Sequence, residues 1–394
     1  MTVPASAGSG KAPRGLLLLV CALTAFASLY AKVARSPWPA RFIAPASSGA
    51  SAAGDASRHE VRKVSSGSTP FAHSVAAVEL ADGSLRAFWF GGSREGATDA
   101  AIYTALYSPD AAAWSGEEIA VTPARLQGDL QRWVRKVGNP VVARDADGRL
   151  RLFVVSVTFG GWAASSINLL TSRDEGASWG RAQRLITSPF LNLSTLVKGA
   201  PFVFEDGHLG VPAYHELAVK FGELLHVAES GQVIDKTRLS WGNYSLQPVI
   251  VPRGMREVTG FMRYAGAPPG RVLVVRSTDG GRSWSTPAKT GLPNPNSAID
   301  ALRLPDGSLL LAFNNAEGDR NDLSLAHSRD EGSTWRVIRR IEWSPPRASG
   351  RAAEYSYPRL MRTRDGNFHL LYTVGKAEIR HLRFNLAWLE QALQ

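Results

Sequence analysis

The 394-residue chain is 44% hydrophobic and 20% charged, with 37 glycines and 23 prolines, which excludes a disordered polymer and supplies ample apolar material for a large core. Its one cysteine, Cys21, lies in the leader, so the folded part has no disulfide, no thiolate nucleophile and no cysteine-based metal site. The net charge of +11 is dispersed and accompanies no nucleic-acid motif, leaving an acidic polymer, or simply an arginine-rich composition, as its explanation.

Lys11 and Arg14 precede an apolar run from Gly15 to Thr24, followed by Ala25-Phe26-Ala27. A basic segment, a short apolar core and an A-x-A site read as a secretory signal peptide. Apolar character continues to Ala31, so a single uncleaved membrane anchor fits residues 1–31 equally well. Either way the chain is expected to be exported: periplasmic, secreted or anchored. Residues 32–60, rich in Ala, Ser and Gly, read as a flexible linker, and residues 61–394 as the folded domain.

Beyond residue 70 two elements repeat. The first is an Asp-Gly turn followed by an apolar strand, at Asp82-Gly83, Asp147-Gly148, Asp206-Gly207, Asp306-Gly307 and Asp365-Gly366. Asp-Gly between apolar runs marks a hairpin, because glycine adopts positive φ without a steric cost. The spacings are 65, 59, 100 and 59 residues, and Arg253-Gly254 before the strand-like Val258–Tyr264 fills the long gap. Six units result. The second element is Ser-x-Asp-x-Gly-x-x-Trp, from Ser172 to Trp179, Ser277 to Trp284 and Ser328 to Trp335, with a shortened copy from Ser108 to Trp114. Its Asp, Gly and Trp suit a turn that packs on a neighbouring unit, a structural duty. The only helix-like stretch of the folded part is the C-terminal Leu386–Gln394. The expected fold is all-β, a six-bladed propeller of four-stranded antiparallel blades.

These boxes resemble the Asp-box, or BNR, repeats of sialidases. Finer features over residues 70–384 are similar to a bacterial family of predicted neuraminidases: Phe90–Gly96, Gly138-Asn139-Pro140, Gln247-Pro248, Leu292–Ser297 through Asp300, and Glu354–Pro358. The resemblance implies a ligand site at the mouth of the propeller axis. It also implies roles for individual positions. The tyrosine nine residues before the last turn glycine is Tyr357, the family's nucleophile, and Asp99 matches the acid/base aspartate to within one residue. Arg263 matches one carboxylate-binding arginine. His73 stands ten residues before the first turn glycine, where the family has another. Ser245 or Gln247 occupies the place of the glutamate that activates the tyrosine. Arg347, Arg351 and Arg359 are candidates for the third arginine.

The candidate catalytic set is therefore Tyr357, Asp99, Glu354 and His73. Tyr355 and Tyr357 alternate along a strand, so one of them faces the axis. Arg94, Asn139, Lys198, Gln247, Arg263, Asn296, Asp300 and Tyr355 are candidates for binding substrate, and Trp162 for stacking on a sugar. His215-Glu216 is placed near the mouth. No metal site is expected, because His73, His215 and His226 lack ligand spacing, and no cofactor either. The chain is expected to be a monomer acting on carbohydrate. The function expected first is a sialidase-like exo-glycoside hydrolase for an acidic or terminal sugar. The alternatives are a polysaccharide lyase or rhamnosidase-type enzyme using His73, and a non-catalytic glycan-binding propeller.

Overall fold

The computed structural model describes residues 14–35, 41–43, 56–188, 192–217, 219–242, 244–345 and 353–393. The chain divides into two compact units, residues 1–39 and 40–394. The first holds a 22-residue helix, Arg14–Arg35, which covers the apolar leader and continues past the boundary expected at residue 31. Among the described residues no helix is long and apolar enough to cross a membrane.

The second unit is a six-bladed β-propeller of antiparallel blades. Their innermost strands are Phe71–Glu79, Lys136–Arg144, Leu196–Val197 with Phe202–Val203, Ser245–Pro252, Asp300–Arg303 and Tyr355–Arg362. Blades 1 and 3 each carry an additional short strand, Glu118–Val121 in blade 1. Each Asp-Gly turn joins the first strand of a blade to the second. The turn glycines Gly83, Gly148, Gly207, Gly307 and Gly366 have φ between 82° and 88°, where a side chain would be strained. Blade 4 turns differently: the Glu257 carbonyl accepts the N–H groups of both Arg253 and Gly254.

The Asp boxes are turn braces. In the three complete copies the serine hydroxyl donates to the aspartate and accepts the glycine N–H, while the aspartate accepts the N–H of the residue before Trp. These donors hold Asp174 and Asp330 down to about 2. The tryptophans pack on the preceding blade, Trp179 edge-on to Phe88 at 5.7 Å and Trp335 to Phe261 at 5.6 Å.

Two boundaries differ from those expected. Strand His59–Lys63 pairs with Glu378–Phe384 as the outer strand of the last blade, so the ring is closed by residues placed partly in the linker. Residues 41–43 also belong to the propeller. Phe42 is fully buried against Phe202 and Phe204, and its N–H donates to the Met255 carbonyl at 3.0 Å. Burying the Phe42 ring, worth about 1.5–3 kcal/mol, offsets part of the roughly 3–6 kcal/mol of entropy lost in fixing three residues. Two backbone hydrogen bonds add to it, from the Phe42 N–H to Met255 and from the Glu205 N–H to the Arg41 carbonyl. A chain begun at residue 61 therefore loses a buried ring and part of a closing strand. The rest of the expected linker, 36–40 and 44–55, lies outside the described residues. The short helix Pro123–Leu130 was not anticipated; Thr122 caps it by accepting the Arg125 N–H, and Leu126 is its one buried residue.

A histidine pair lies at the seam of blades 6 and 1. His369 Nδ1 and His381 Nε2 are 2.8 Å apart with the rings stacked, and Trp114 Nε1 donates to His381 Nδ1. An indole can only donate, so His381 carries its proton on Nε2 and passes it toward His369, whose Nε2 donates to Thr363. Burial pushes His369 down to about 4 and His381 well below the ordinary value, so both are neutral. A base with a depressed folded pKa supports the fold fully above its unfolded pKa of about 6.5, and that support is lost as pH falls toward 4. Denaturant unfolding at pH 7 and pH 4.5 should show a loss of roughly 3 kcal/mol from His369 at full effect, and a smaller decline in His369→Gln. Equal slopes in the two proteins would refute the assignment.

Candidate active site

The innermost strands start on the face opposite the Asp-Gly turns, and there several of them break register. Pairing slips between His73 and Ala76, Gly138 and Pro140, Leu246 and Val249, and Ser356 and Arg359. Within the slips Ser74, Gln247 and Tyr357 take φ of 57°, 52° and 53°. Such conformations are uncommon for residues with a Cβ, and a bulge re-aims the side chains around it. The recurrence of this device at one depth in four blades marks the mouth as a built site.

Gln247, buried, is the hub. Its Oε1 accepts Arg263 Nη1 at 3.1 Å, and its Nε2 donates to the hydroxyls of Tyr357 at 3.1 Å and Tyr214 at 3.3 Å. The amide orientation follows from chemistry, since a guanidinium only donates and must face the carbonyl oxygen. Arg263 Nε also donates to Asn296 Oδ1 at 2.7 Å. The backbone carbonyl of Asn296 accepts Arg320 Nη2 at 2.7 Å, and Arg320 Nη1 pairs with Glu354 at 2.8 Å. Two guanidiniums are thus tied to one loop beside Tyr357. A cavity of about 260 Å³ opens at Asn296, Arg320, Glu354 and Lys376.

His73 is 2% exposed and packs edge-on to the Tyr357 ring with centroids 4.4 Å apart. Burial, then the charges of Lys376, Arg320 and Arg263, hold it well below the ordinary histidine range, so it is neutral. Burial also raises Tyr214 well above the ordinary tyrosine value, keeping its phenol protonated, and raises Glu216. Lys198 is depressed to about 8 by burial, and its ammonium donates to the carbonyls of Ile299 and Pro358, both at 2.6 Å.

The structure joins Tyr357, Gln247, Arg263, Asn296 and Glu354 in one hydrogen-bonded region, with His73 in contact. Glu354 is occupied by Arg320, so it positions the guanidinium instead of assisting the tyrosine. Four expected binding residues are structural. Of the two tyrosines Tyr355 is the one buried, in the core between blades 5 and 6, while the register slip after Ser356 leaves Tyr357 at the mouth. Lys198 is a strut beneath the site. Asp300 is buried, accepting the Leu360 N–H and facing Arg359. Asn139 donates to Tyr214 and to the Val197 carbonyl. Asp99 and Arg94 lie exposed in the loop between the second and third strands of blade 1; Asp99 accepts the hydroxyl and N–H of Ser93. That loop reaches blade 6 through the Glu95–Lys376 ion pair. Trp162 lies beneath the Lys136 ammonium, 4.3 Å from its ring, instead of presenting a free face. Ser245 bonds to the Ser240 hydroxyl, which leaves Gln247 in the glutamate's place.

Arg320, Tyr214 and the burial of Glu216 were missed as site features. Arg320 sits in the second-to-third-strand loop of blade 5, upstream of the arginines considered for that role. Of those, Arg347 and Arg351 lie outside the described residues, and Arg359 pairs with Asp300. The metal expectation overlooked His208: among the described residues Asp206, His208 and His226 converge, away from the mouth.

Fold and Asp boxes together define a six-bladed propeller built of BNR-type repeats. The chain belongs to the BNR repeat-like domain family, which matches residues 83–370. Among solved structures it is similar to the Hadza microbial sialidase Hz136, at 16% identity and a TM-score of 0.65, over 81% of this chain and 66% of that one. It is also similar to the NanB sialidase of Streptococcus pneumoniae, at 12% identity and a TM-score of 0.64, over 82% and 69% of the two chains. The Penicillium chrysogenum alpha-L-arabinanase matches at 14% identity and a TM-score of 0.59, over 84% and 98%. The chain spans about two thirds of the length of the two sialidases. Identities this low establish the fold and leave substrate to the site. No curated protein matches in sequence.

Proposed function

We propose that the protein is an exported exo-glycoside hydrolase that removes a terminal, carboxylate-bearing sugar from extracellular or envelope glycans. The observation that carries this reading is that Gln247 joins the Tyr357 hydroxyl to Arg263, whose partner Asn296 also holds Arg320. Each guanidinium gives only part of its five N–H donors to its protein partners, and bidentate binding of a carboxylate uses such a fork. A tyrosine nucleophile suits an anomeric centre that bears a carboxylate, because a neutral phenol avoids the repulsion an aspartate would meet. Gln247 donates to the Tyr357 oxygen and so stabilises a phenolate, and Asp99 on the rim loop is the leaving-group acid of this scheme.

A second reading, glycan binding without turnover, is favoured by Gln247 itself, since an amide takes no proton from the tyrosine. The lyase alternative needs His73 to reach a substrate proton, and its Nδ1 is sealed from solvent. A panel of 4-methylumbelliferyl glycosides, neutral and carboxylate-bearing, tests the proposal. Release is expected from the carboxylate sugars alone, with Arg320→Ala raising KM roughly 30-fold, as loss of a charged contact worth about 2 kcal/mol requires. Equal cleavage of neutral sugars overturns the acidic specificity. Saturable binding with no release supports the second reading.

A further inference from the structure

Blades 3 and 5 turn their first hairpins in the same way. In blade 5 Asp306-Gly307-Ser308 leads into Leu309–Asn314, and His327 sits opposite Leu310. The Ser308 hydroxyl donates to Asp306 and lies 2.8 Å from His327 Nε2. In blade 3 Asp206-Gly207-His208 leads into Leu209–His215, and His226 sits opposite Gly210, the register equivalent of His327. Blade 3 thus keeps the aspartate and the strand histidine but has His208 where blade 5 has serine. Asp206 Oδ1 accepts the His208 N–H at 3.1 Å, and its other oxygen faces the two imidazoles.

Those three ligand atoms form a nearly equilateral triangle. His208 Nδ1 lies 3.1 Å from His226 Nε2 and 3.2 Å from Asp206 Oδ2, and His226 Nε2 lies 3.3 Å from the same oxygen. Ligand atoms bound to tetrahedral zinc at 2.0–2.1 Å stand about 3.3 Å from one another, so the triangle has the size of one tetrahedral face. The adjoining cavity, about 290 Å³, is lined by Asp145, Asp147 and Glu229 as well as Asp206, against Arg149 and Arg151, so carboxylates outnumber guanidiniums. The His226 side chain is 5% exposed, while those of His208 and Asp206 are 32% and 40% exposed, which gives the face a protein back and a side open for water as fourth ligand.

We propose that Asp206, His208 and His226 bind a divalent first-row transition metal, with zinc the best match. Two imidazoles select against calcium and magnesium, which take oxygen ligands. The site lies at the Asp-Gly end of blade 3, away from the mouth. Its metal is a structural clip that ties the hairpin turn to the end of strand Phe221–Val227.

The test uses the full chain without an affinity tag, stripped of metal and titrated with Co2+ and then Zn2+. One equivalent of Co2+ with the intense visible bands of tetrahedral coordination is expected, displaced by Zn2+, with a metal-dependent rise in Tm. His208→Ser copies the solution blade 5 already uses. It should fold with the metal-free Tm of the parent and lose affinity by more than the roughly 100-fold that an outer-shell partner is worth. Asp206→Asn should weaken binding as well. Absence of stoichiometric binding, a weak octahedral Co2+ spectrum, or undiminished binding in both variants would show the trio to be a hydrogen-bonded cluster only.

Discussion

Tyr357→Phe should lower turnover of a carboxylate-bearing aryl glycoside by at least ~10³-fold while leaving substrate affinity within a few-fold. The substitution removes only the oxygen proposed as nucleophile. The ring stays against His73, and Gln247 retains Arg263 on one side and the Tyr214 hydroxyl on the other, so the site keeps its shape. Single-turnover kinetics together with calorimetric titration of the product sugar separate the two quantities. If Tyr357→Phe turns over at the parent's rate, the nucleophile lies elsewhere and the tyrosine is a packing group.

Gln247→Glu should move the rate in the opposite direction, by on the order of 10²-fold, the lower end of what a positioned general base contributes. A glutamate at this position would meet Arg263 at the oxygen the amide already offers, so the geometry needs no rearrangement. Its second oxygen would face the Tyr357 and Tyr214 hydroxyls, which rotate to donate where they now accept. The phenol would then have a group to take its proton, which the amide cannot do. The comparison is kcat/KM across pH for the two proteins. An unchanged rate means that the natural reaction draws its base from another group, and a parent inactive on every sugar but active as the glutamate variant would mark a propeller adapted to binding.

The blade count was legible in the sequence because Asp-Gly turns and Asp boxes are local chemistry. Each needs particular residues at fixed offsets, whatever surrounds them. Tyr357 was proposed from its distance to the last turn glycine, and Arg263 from its match to the family pattern. What could not be read was which tyrosine faces the axis. One of Tyr355 and Tyr357 was expected there; the register slip after Ser356 leaves Tyr357 at the mouth and Tyr355 in the core, and nothing in Glu354-Tyr355-Ser356-Tyr357-Pro358 announces it. Lys198, Asn139 and Asp300 failed for another reason. A polar side chain near the mouth serves a ligand or a buried carbonyl equally well, and only the carbonyl's position decides. Arg320 was missed because positions were counted back from the Asp-Gly turns, which reaches only the first strand of a blade, while it lies in the loop between the second and third strands. Phe42 was hidden in an Ala/Ser/Gly-rich stretch whose average character says linker.

The strand His59–Lys63 has a consequence for how the molecule is made. Its hydrogen-bond partner, Glu378–Phe384, lies more than 300 residues later in the chain. Blades built from strands adjacent in the chain can form as they are synthesised, but the ring cannot shut until the strand Glu378–Phe384 has appeared. Until then the first and last blades expose unpaired edges and the apolar flanks that later meet, surfaces that invite aggregation. Closing so long a loop adds little entropy beyond that of a shorter one, since the cost grows only with the logarithm of length. The vulnerability is in time. A chain cut before Glu378 keeps the other blades' sequences intact but gives them no closed ring to join, so the cut acts on the whole propeller.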